Sequence, residues 1–278
     1  MKYYIVDAFT DQPFGGNPAG VVLLDGDVFP HEKLMLQIAA ELRYSETAFV
    51  RRDSENEFTI RYFTPTAEVE LCGHATIASF ALLHRKLGLT GQCLCHAKAG
   101  DIYVKVGPHV MMQMTPSEVL KTIDDTGEVY RALGVNDYTP MLPVMIVSTG
   151  LPDFMIQVSD VETLNRLPLD MNAISAVTEK HNAVSLHVFA FGNDGHTAHV
   201  RDFGPLYGIP EESATGTANA SLTHYLQRNG CIPATGDFSF LQGEAMGRPS
   251  VVATRVTPSG TIHVGGTAAV VAEGRLVV

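Results

Sequence analysis

Residues able to hold or move a proton gather at two places along this 278-residue chain. The first combines Glu46, in Tyr44-Ser45-Glu46-Thr47-Ala48-Phe49-Val50, with the run Cys72-Gly73-His74-Ala75-Thr76. Glu46 stands at the entry to an apolar strand. A carboxylate held against apolar neighbours has its charged form disfavoured, which makes it a better proton acceptor. An acid exposed at a strand end is the other reading of that position. His74 falls in the first turn of a helix, where an imidazole can donate to a ligand, accept from one, or simply pack. The second place is Glu211-Glu212-Ser213-Ala214-Thr215-Gly216-Thr217-Ala218. It also opens a helix, and acids just ahead of a helix start are common partners of its dipole.

Both openings are made of small residues, so backbone N–H groups can approach a ligand. A helix N-terminus carries unpaired donors and roughly half a positive charge. Two such termini facing one cleft would hold a carboxylate or another small anion; otherwise Gly73 and Gly216 do no more than open their helices. Cys72 adds a thiol at a helix start, a position that favours the thiolate. Racemisation by two opposed thiols would need a second cysteine at the equivalent place. Thr215 stands there, and its hydroxyl does not ionise near neutrality. Cys93-Leu94-Cys95-His96 is spaced too tightly for the usual zinc pattern, and no second pair follows. The phosphate-binding, dinucleotide-binding and nucleophile-elbow glycine motifs do not occur, so nucleotide cofactors and serine hydrolysis lack support.

The elements that must position these groups occur twice. Gly16-Asn17-Pro18-Ala19-Gly20-Val21-Val22-Leu23-Leu24 matches Gly150-Leu151-Pro152-Asp153-Phe154-Met155-Ile156-Gln157-Val158. Arg61-Tyr62-Phe63-Thr64-Pro65 matches Arg201-Asp202-Phe203-Gly204-Pro205, and the helix opening at Gly73 matches the one at Gly216. Ala75, Ser79, Leu82 and Leu83 lie on one helical face, as do Ala218, Leu222, Tyr225 and Leu226. Gly88 and Gly230 supply the stops. Three anchors in the same order indicate duplication. Further helices are expected near His31–Leu42, Gly127–Leu133 and Met171–His181.

Between the helices, short alternating segments predict strands, mostly antiparallel. The polar stretch 115–125 is the expected boundary. It separates an N-terminal domain, 1–118, from a C-terminal one, 119–278, whose last strand can pack back on the first. The fold class is α+β: two pseudo-symmetric halves, each a curved, mainly antiparallel sheet around a central helix.

Net charge is −11, which disfavours nucleic acid. No uncharged apolar run approaches the roughly 20 residues of a bilayer span, and Asp7 interrupts any early secretory segment. Four cysteines are too few for a disulfide scaffold, so a cytoplasmic setting is expected.

The chain resembles the PhzF family of phenazine biosynthesis-like isomerases, within the diaminopimelate epimerase-like superfamily. The matching blocks are Asp7-Ala8-Phe9-Thr10 through Gly15-Gly16-Asn17-Pro18-Ala19-Gly20, Ser45-Glu46-Thr47-Ala48-Phe49, Arg61 to Pro65, Glu70-Leu71-Cys72-Gly73-His74-Ala75-Thr76, Glu211 to Ala218, and Gln242-Gly243 through Gly247-Arg248-Pro249-Ser250. The resemblance implies a cofactor-free homodimer with its site between the halves, and Glu46 as the general acid/base. It implies that Ser45, Cys72, Gly73, His74, Glu212, Thr215, Gly216 and Thr217 hold a small carboxylate substrate. Two positions depart from the family pattern: Glu212 where Asp is usual, and Thr217 where Ser is usual. Both bear on substrate identity rather than on the base. An amino-acid racemase using Cys72, and a binding protein without catalysis, are the rival expectations.

Overall fold

The computed structural model describes residues 1–135 and 138–278. The chain forms two compact units, Met1–Gln113 with Gly265–Val278, and Met114–Val264. The contact boundary falls at 113/114, a few residues before the 118/119 division of the sequence. The C-terminal strand, Ala268–Arg275, pairs antiparallel with the first strand from Lys2 to Ala8.

In the first unit the chain runs β1 (Lys2–Ala8), β2 (Asn17–Leu23), α1 (Glu32–Leu42), β3 (Thr47–Arg52), β4 (Glu57–Phe63), β5 (Glu68–Val69), α2 (Gly73–Leu87), β6 (Gly91–Ala97), β7 (Gly100–Val106) and β8 (Val110–Gln113). Strand β1 pairs antiparallel with β2, β2 parallel with β3, β3 antiparallel with β4, and β4 parallel with β6. Strands β6, β7 and β8 form a meander. The two parallel steps are crossovers, one carrying α1 and the other α2. Helix α2 contacts β1, β2, β3, β7, β8 and the C-terminal strand, so the sheet curls around it.

That placement explains the composition of α2. Its buried residues, from His74 to Leu83, cover most of its circumference rather than one stripe, as expected of a helix enclosed by a sheet. Small side chains at Ala75, Ala78 and Ser79 let strands approach. Buried hydroxyls are satisfied locally: Thr76 donates to Cys72 O at 2.7 Å and Ser79 to Ala75 O at 2.6 Å. Gly88, at φ +68°, ends the helix with its N–H on His84 O.

The second unit repeats this grammar. It runs β9 (Glu118–Thr122), α3 (Gly127–Ala132), β10 (Met145–Ser148), β11 (Pro152–Gln157), α4 (Val161–Asn165), α5 (Met171–His181), β12 (Ser185–Ala190), β13 (Ala198–Gly204), β14 (Ile209–Glu212), α6 (Gly216–Arg228), β15 (Gly236–Gln242), β16 (Ser250–Val256) and β17 (Ile262–Gly266), whose last two residues fall to the first unit. The pairings β10–β11 antiparallel, β11–β12 parallel, β12–β13 antiparallel, β13–β15 parallel and β15–β16 antiparallel reproduce those from β1 to β7. Leu222, Tyr225 and Leu226 of α6 pack with Met145, Val147, Met155, Phe189, Val200 and Phe240. Even a salt bridge is duplicated. Arg61 makes a two-pronged pair with Glu68, at 2.7 and 2.9 Å, and Arg201 makes one with Glu211, both contacts at 2.8 Å. Each ties a long strand to the short strand leading into the central helix. Among the described residues no helix is long and apolar enough to cross a membrane.

Candidate active site

In the first unit, the sequence-predicted residues Ser45, Glu46, Cys72 and His74 come together at the start of α2. Glu46 immediately precedes β3, and its carbonyl accepts from Gly20 N at 3.1 Å. Gly20 lets β2 lie close there: a Cβ would come 2.7 Å from Thr47 Oγ1. The side chain of Glu46 is 16% exposed, and its Oε2 lies 3.3 Å from His74 Nε2. Ser45 Oγ is 3.4 Å from the same nitrogen. Cys72 Sγ lies 3.4 Å from His74 Nδ1 and 3.7 Å from Nε2. Cys72 and His74 are buried.

Burial pushes the His74 imidazole below its usual range, and the Glu46 carboxylate only partly opposes this. The His74–Glu46 contact is therefore a polar contact with an imidazole whose charged form is disfavoured, rather than a firm ion pair. Cys72 Sγ, at nearly equal distances from Nδ1 and Nε2, lies beside the ring rather than on the in-plane axis of either nitrogen.

The helix start itself is open chemically. His31, Asp160 and Asp170 cap α1, α4 and α5 with their side chains. Neither Cys72 nor Thr215 makes such a bond at α2 or α6. The first-turn N–H groups of the two central helices are thus not claimed by an N-cap side chain, which suits an anion. At Gly73 an added Cβ would meet only Met112 Cε, at 3.6 Å, an ordinary contact. Packing within the unit does not demand glycine at that position.

In the second unit, Glu212, Thr215 and Gly216 meet at the start of α6. Thr215 Oγ1 donates to Glu212 Oε2 at 2.6 Å and lies 3.1 Å from Asp202 Oδ2. Thr217 is half-buried one turn position further on, and its carbonyl accepts from Thr149 Oγ1 at 3.0 Å. Glu211, a candidate dipole partner, is instead committed to Arg201.

Sequence reasoning assigned no site role to the residues that hold this corner. Gln242 is fully buried. Its Nε2 donates to Glu212 O at 2.9 Å and to Thr215 Oγ1 at 3.1 Å, while its Oε1 accepts from Thr215 N at 3.0 Å and Asn219 Nδ2 at 2.9 Å. The next residue, Gly243 at φ +79°, has Arg248 O 2.4 Å and Ser213 O 2.7 Å from where a Cβ would sit. The Gln-Gly pair in the sequence was the available signal.

Behind Thr215 lies a buried chain of acids. Ser185 Oγ is 3.0 Å from Asp153 Oδ1 and 2.6 Å from Asp202 Oδ1, and His187 Nδ1 is 3.0 Å from Asp202 Oδ1. A serine hydroxyl has one proton to give. It lies within donating distance of both carboxyls and closer to Asp202. Burial, reinforced by the Asp202 carboxylate, pushes the Asp153 carboxyl well above the usual range, against the opposing Ser185 hydrogen bond.

Cys93 and Cys95 lie on one buried face of β6, while His96 lies on the other face with Nδ1 2.7 Å from Asp101. Strand alternation thus separates the cysteine-histidine cluster seen in the sequence.

Residues 6–274 match the family model of phenazine biosynthesis-like proteins. The uncharacterized isomerase YddE of Escherichia coli K12 is 34% identical over 274 residues, covering 92% of this chain and 90% of the relative. The trans-2,3-dihydro-3-hydroxyanthranilate isomerase of Pseudomonas aeruginosa is 28% identical over 284 residues, covering 99% and 98%. The crystal structure of a Bacillus anthracis phenazine biosynthesis protein of the PhzF family superposes with a TM-score of 0.88 at 26% identity, covering 100% of this chain and 99% of that one.

Proposed function

The chain belongs to the phenazine biosynthesis-like PhzF family of isomerases, and on that premise we propose that it moves a proton between two carbons of a small carboxylate, with Glu46 as the acid/base. The observation that carries this reading is the Glu46–His74 contact at 3.3 Å beside the uncapped start of α2.

Glu46 as carboxylate takes a proton from a carbon made acidic by neighbouring unsaturation. The electron pair left behind delocalises toward an oxygen, and N–H groups at a helix start can stabilise that charge. Glu46, now a carboxylic acid, returns the proton to a different carbon. Atoms and charge balance without a redox partner, so the proposal needs no cofactor. His74 fixes the carboxylate and supplies a polar edge to the substrate, together with Ser45, Cys72 and Gly73.

The α6 corner is proposed to act on the same substrate, in a site shared by the two repeats. There Glu212, Thr215, Gly216 and Thr217 contribute, and Glu212 and Thr217 tune which carboxylate is accepted. A ring carboxylate fits this reading, because the Pseudomonas relative's name carries one. The resemblance also implies a homodimer, which light scattering of the eluting protein tests. Racemisation by two bases is disfavoured by Thr215, whose hydroxyl is committed to Glu212. Deuterium uptake from solvent by a panel of small cyclic carboxylates, with wild type and Glu46→Gln, tests the reading.

A further inference from the structure

The two repeats differ at the turn between their first two strands. In the second unit Ser148 of β10 pairs with Pro152 of β11 across a tight turn through Gly150. The corresponding pair in the first unit is Asp7 with Pro18, because the block from Gly16 matches the block from Gly150. Gly150 alone separates Thr149 from Leu151, whereas residues 9–16 separate the matched Ala8 from Asn17. The first unit thus inserts residues 9–15 where the second turns directly. The residue that anchors the turn is kept. Ser148 Oγ accepts from Gly150 N at 3.1 Å, and Asp7 Oδ2 accepts from Phe14 N at 2.7 Å. Asp7 is buried, so a buried carboxylate fixes the backbone of the inserted tip.

Phe14 is what the insertion presents. It is the most exposed phenylalanine of the chain, at 72%. Its φ is +71°, a region that bulky L residues rarely adopt. Solvent exposure of the ring and strain in the backbone both work against stability, and strain of this kind gathers at functional sites. The rest of the loop is held firmly. Phe9 N donates to Thr267 O at 2.8 Å, and Gln12 N donates to Thr10 Oγ1 at 3.1 Å. At Gly16, φ +62°, a Cβ would lie 2.2 Å from Ala8 O.

The sheet sets where the ring stands. Strands β2 and β3 are parallel, with Gly20 opposite Thr47. The insertion that enters β2 and the Ser45–Glu46 segment that enters β3 therefore lie at one end of the sheet. Ser45 and Glu46 reach His74 at the start of α2, so that end carries the acid/base. The second unit has the same arrangement: Thr149, at its turn, contacts Thr217 O and Ser221 Oγ in the first turns of α6.

We infer that Phe14 is a specificity-determining residue, its ring a platform for the flat face of an unsaturated ring carboxylate brought to Glu46. This inference rests on the function proposed above for its substrate class. Stacking rewards a planar π face, which a saturated, puckered ring lacks. Unsaturation beside the reacting carbon is also what makes its proton acidic, so the ring that stacks is the ring that can react. A platform pinned by Asp7 is ordered before the ligand arrives, which lowers the entropy cost of binding.

The chain has no tryptophan, so Phe14→Trp places a single indole fluorophore on the loop. The probes are benzoate and cyclohexanecarboxylate, a flat and a puckered ring with the same charge. Benzoate should change the indole emission saturably, and calorimetry of wild type should give it about three- to tenfold higher affinity than cyclohexanecarboxylate. Phe14→Tyr should keep that preference. Phe14→Gly should erase it while melting no lower than wild type, since glycine accepts a positive φ without strain. The inference is overturned by absence of saturable benzoate binding, by indole emission that benzoate does not move, or by equal affinities in wild type. It is also overturned if the preference survives in folded Phe14→Gly, or if that variant melts well below wild type, which would make the ring structural. A dimer lost in Phe14→Gly with the preference intact, read by light scattering, would assign the ring to a subunit contact instead. Binding is read here without turnover. Failure of the isomerase reading leaves the benzoate preference in place without Glu46-dependent deuterium uptake, and failure of the platform leaves that uptake unchanged in Phe14→Gly.

Discussion

Glu46 and Ser185 occupy the same register position in the two repeats. Thr47, which follows Glu46, pairs with Gly20 and Phe63. Leu186, which follows Ser185, pairs with Phe154 and Phe203. Gly20 matches Phe154 and Phe63 matches Phe203 in the repeated sequence blocks. The same correspondence sets Cys72 against Thr215 and His74 against Thr217. At these three matched positions the first copy carries ionisable groups and the second carries hydroxyls. That asymmetry suits a single acid/base better than a matched pair.

Gly73→Ala should separate binding from folding. The added methyl meets only Met112 Cε at 3.6 Å, so the melting temperature should stay close to wild type. A methyl at the helix start crowds an anion's approach, so KM should rise more than kcat falls. Steady-state kinetics with differential scanning calorimetry reads both.

Gly243→Ala should do the opposite. Its Cβ would lie 2.4 Å from Arg248 O, at a backbone φ of +79°. The expected loss is about 1–3 kcal/mol or more in urea unfolding. A variant as stable as wild type would contradict the geometry.

Gln242→Ala removes a fully buried amide that serves Glu212, Thr215 and Asn219. Leaving those groups without their partner should cost about 2–3 kcal/mol. KM should also rise if the α6 start contacts substrate. Chemical denaturation and kinetics check the two effects separately.

Asp153→Asn carries a pH signature. The folded protein holds the Asp153 proton to higher pH than the unfolded chain does. Its contribution to stability is therefore fully present below the unfolded pKa of about 3.9 and is lost as pH rises through the raised folded value. Asparagine does not titrate, so the stability of Asp153→Asn relative to wild type should increase with pH above about 4, with a slope of at most one proton. A difference independent of pH would show that Asp153 is ionised in the fold.

Much of this was legible in the sequence, and the exceptions have physical causes. The helices at Gly73 and Gly216 were readable because apolar spacing, small openings and glycine stops agree locally. Strand β9 was not, since its residues are mostly exposed and polar; only pairing with β10 makes it a strand. Strand β6 was not readable either, although Cys93 and Cys95 alternate inward there. In the site, Glu46 and His74 stood out through their neighbours and through the family resemblance. Asp153, Ser185, His187 and Asp202 did not, because they sit on three strands joined by a parallel crossover and a hairpin. Nothing in local spacing announces that contact.

The most direct test compares wild type, Glu46→Gln and Cys72→Ser in deuterated buffer with small cyclic carboxylates, including trans-2,3-dihydro-3-hydroxyanthranilate, and free amino acids. Mass spectrometry reads deuterium uptake and chromatography reads isomer formation, with circular dichroism confirming that each variant is folded. The expected result is isomerisation of a carboxylate by wild type, reduced at least about 100-fold in Glu46→Gln, while Cys72→Ser retains measurable turnover. Full turnover in folded Glu46→Gln, or α-carbon exchange of an amino acid that is lost in Cys72→Ser but survives Glu46→Gln, would contradict the assignment of Glu46 as the base.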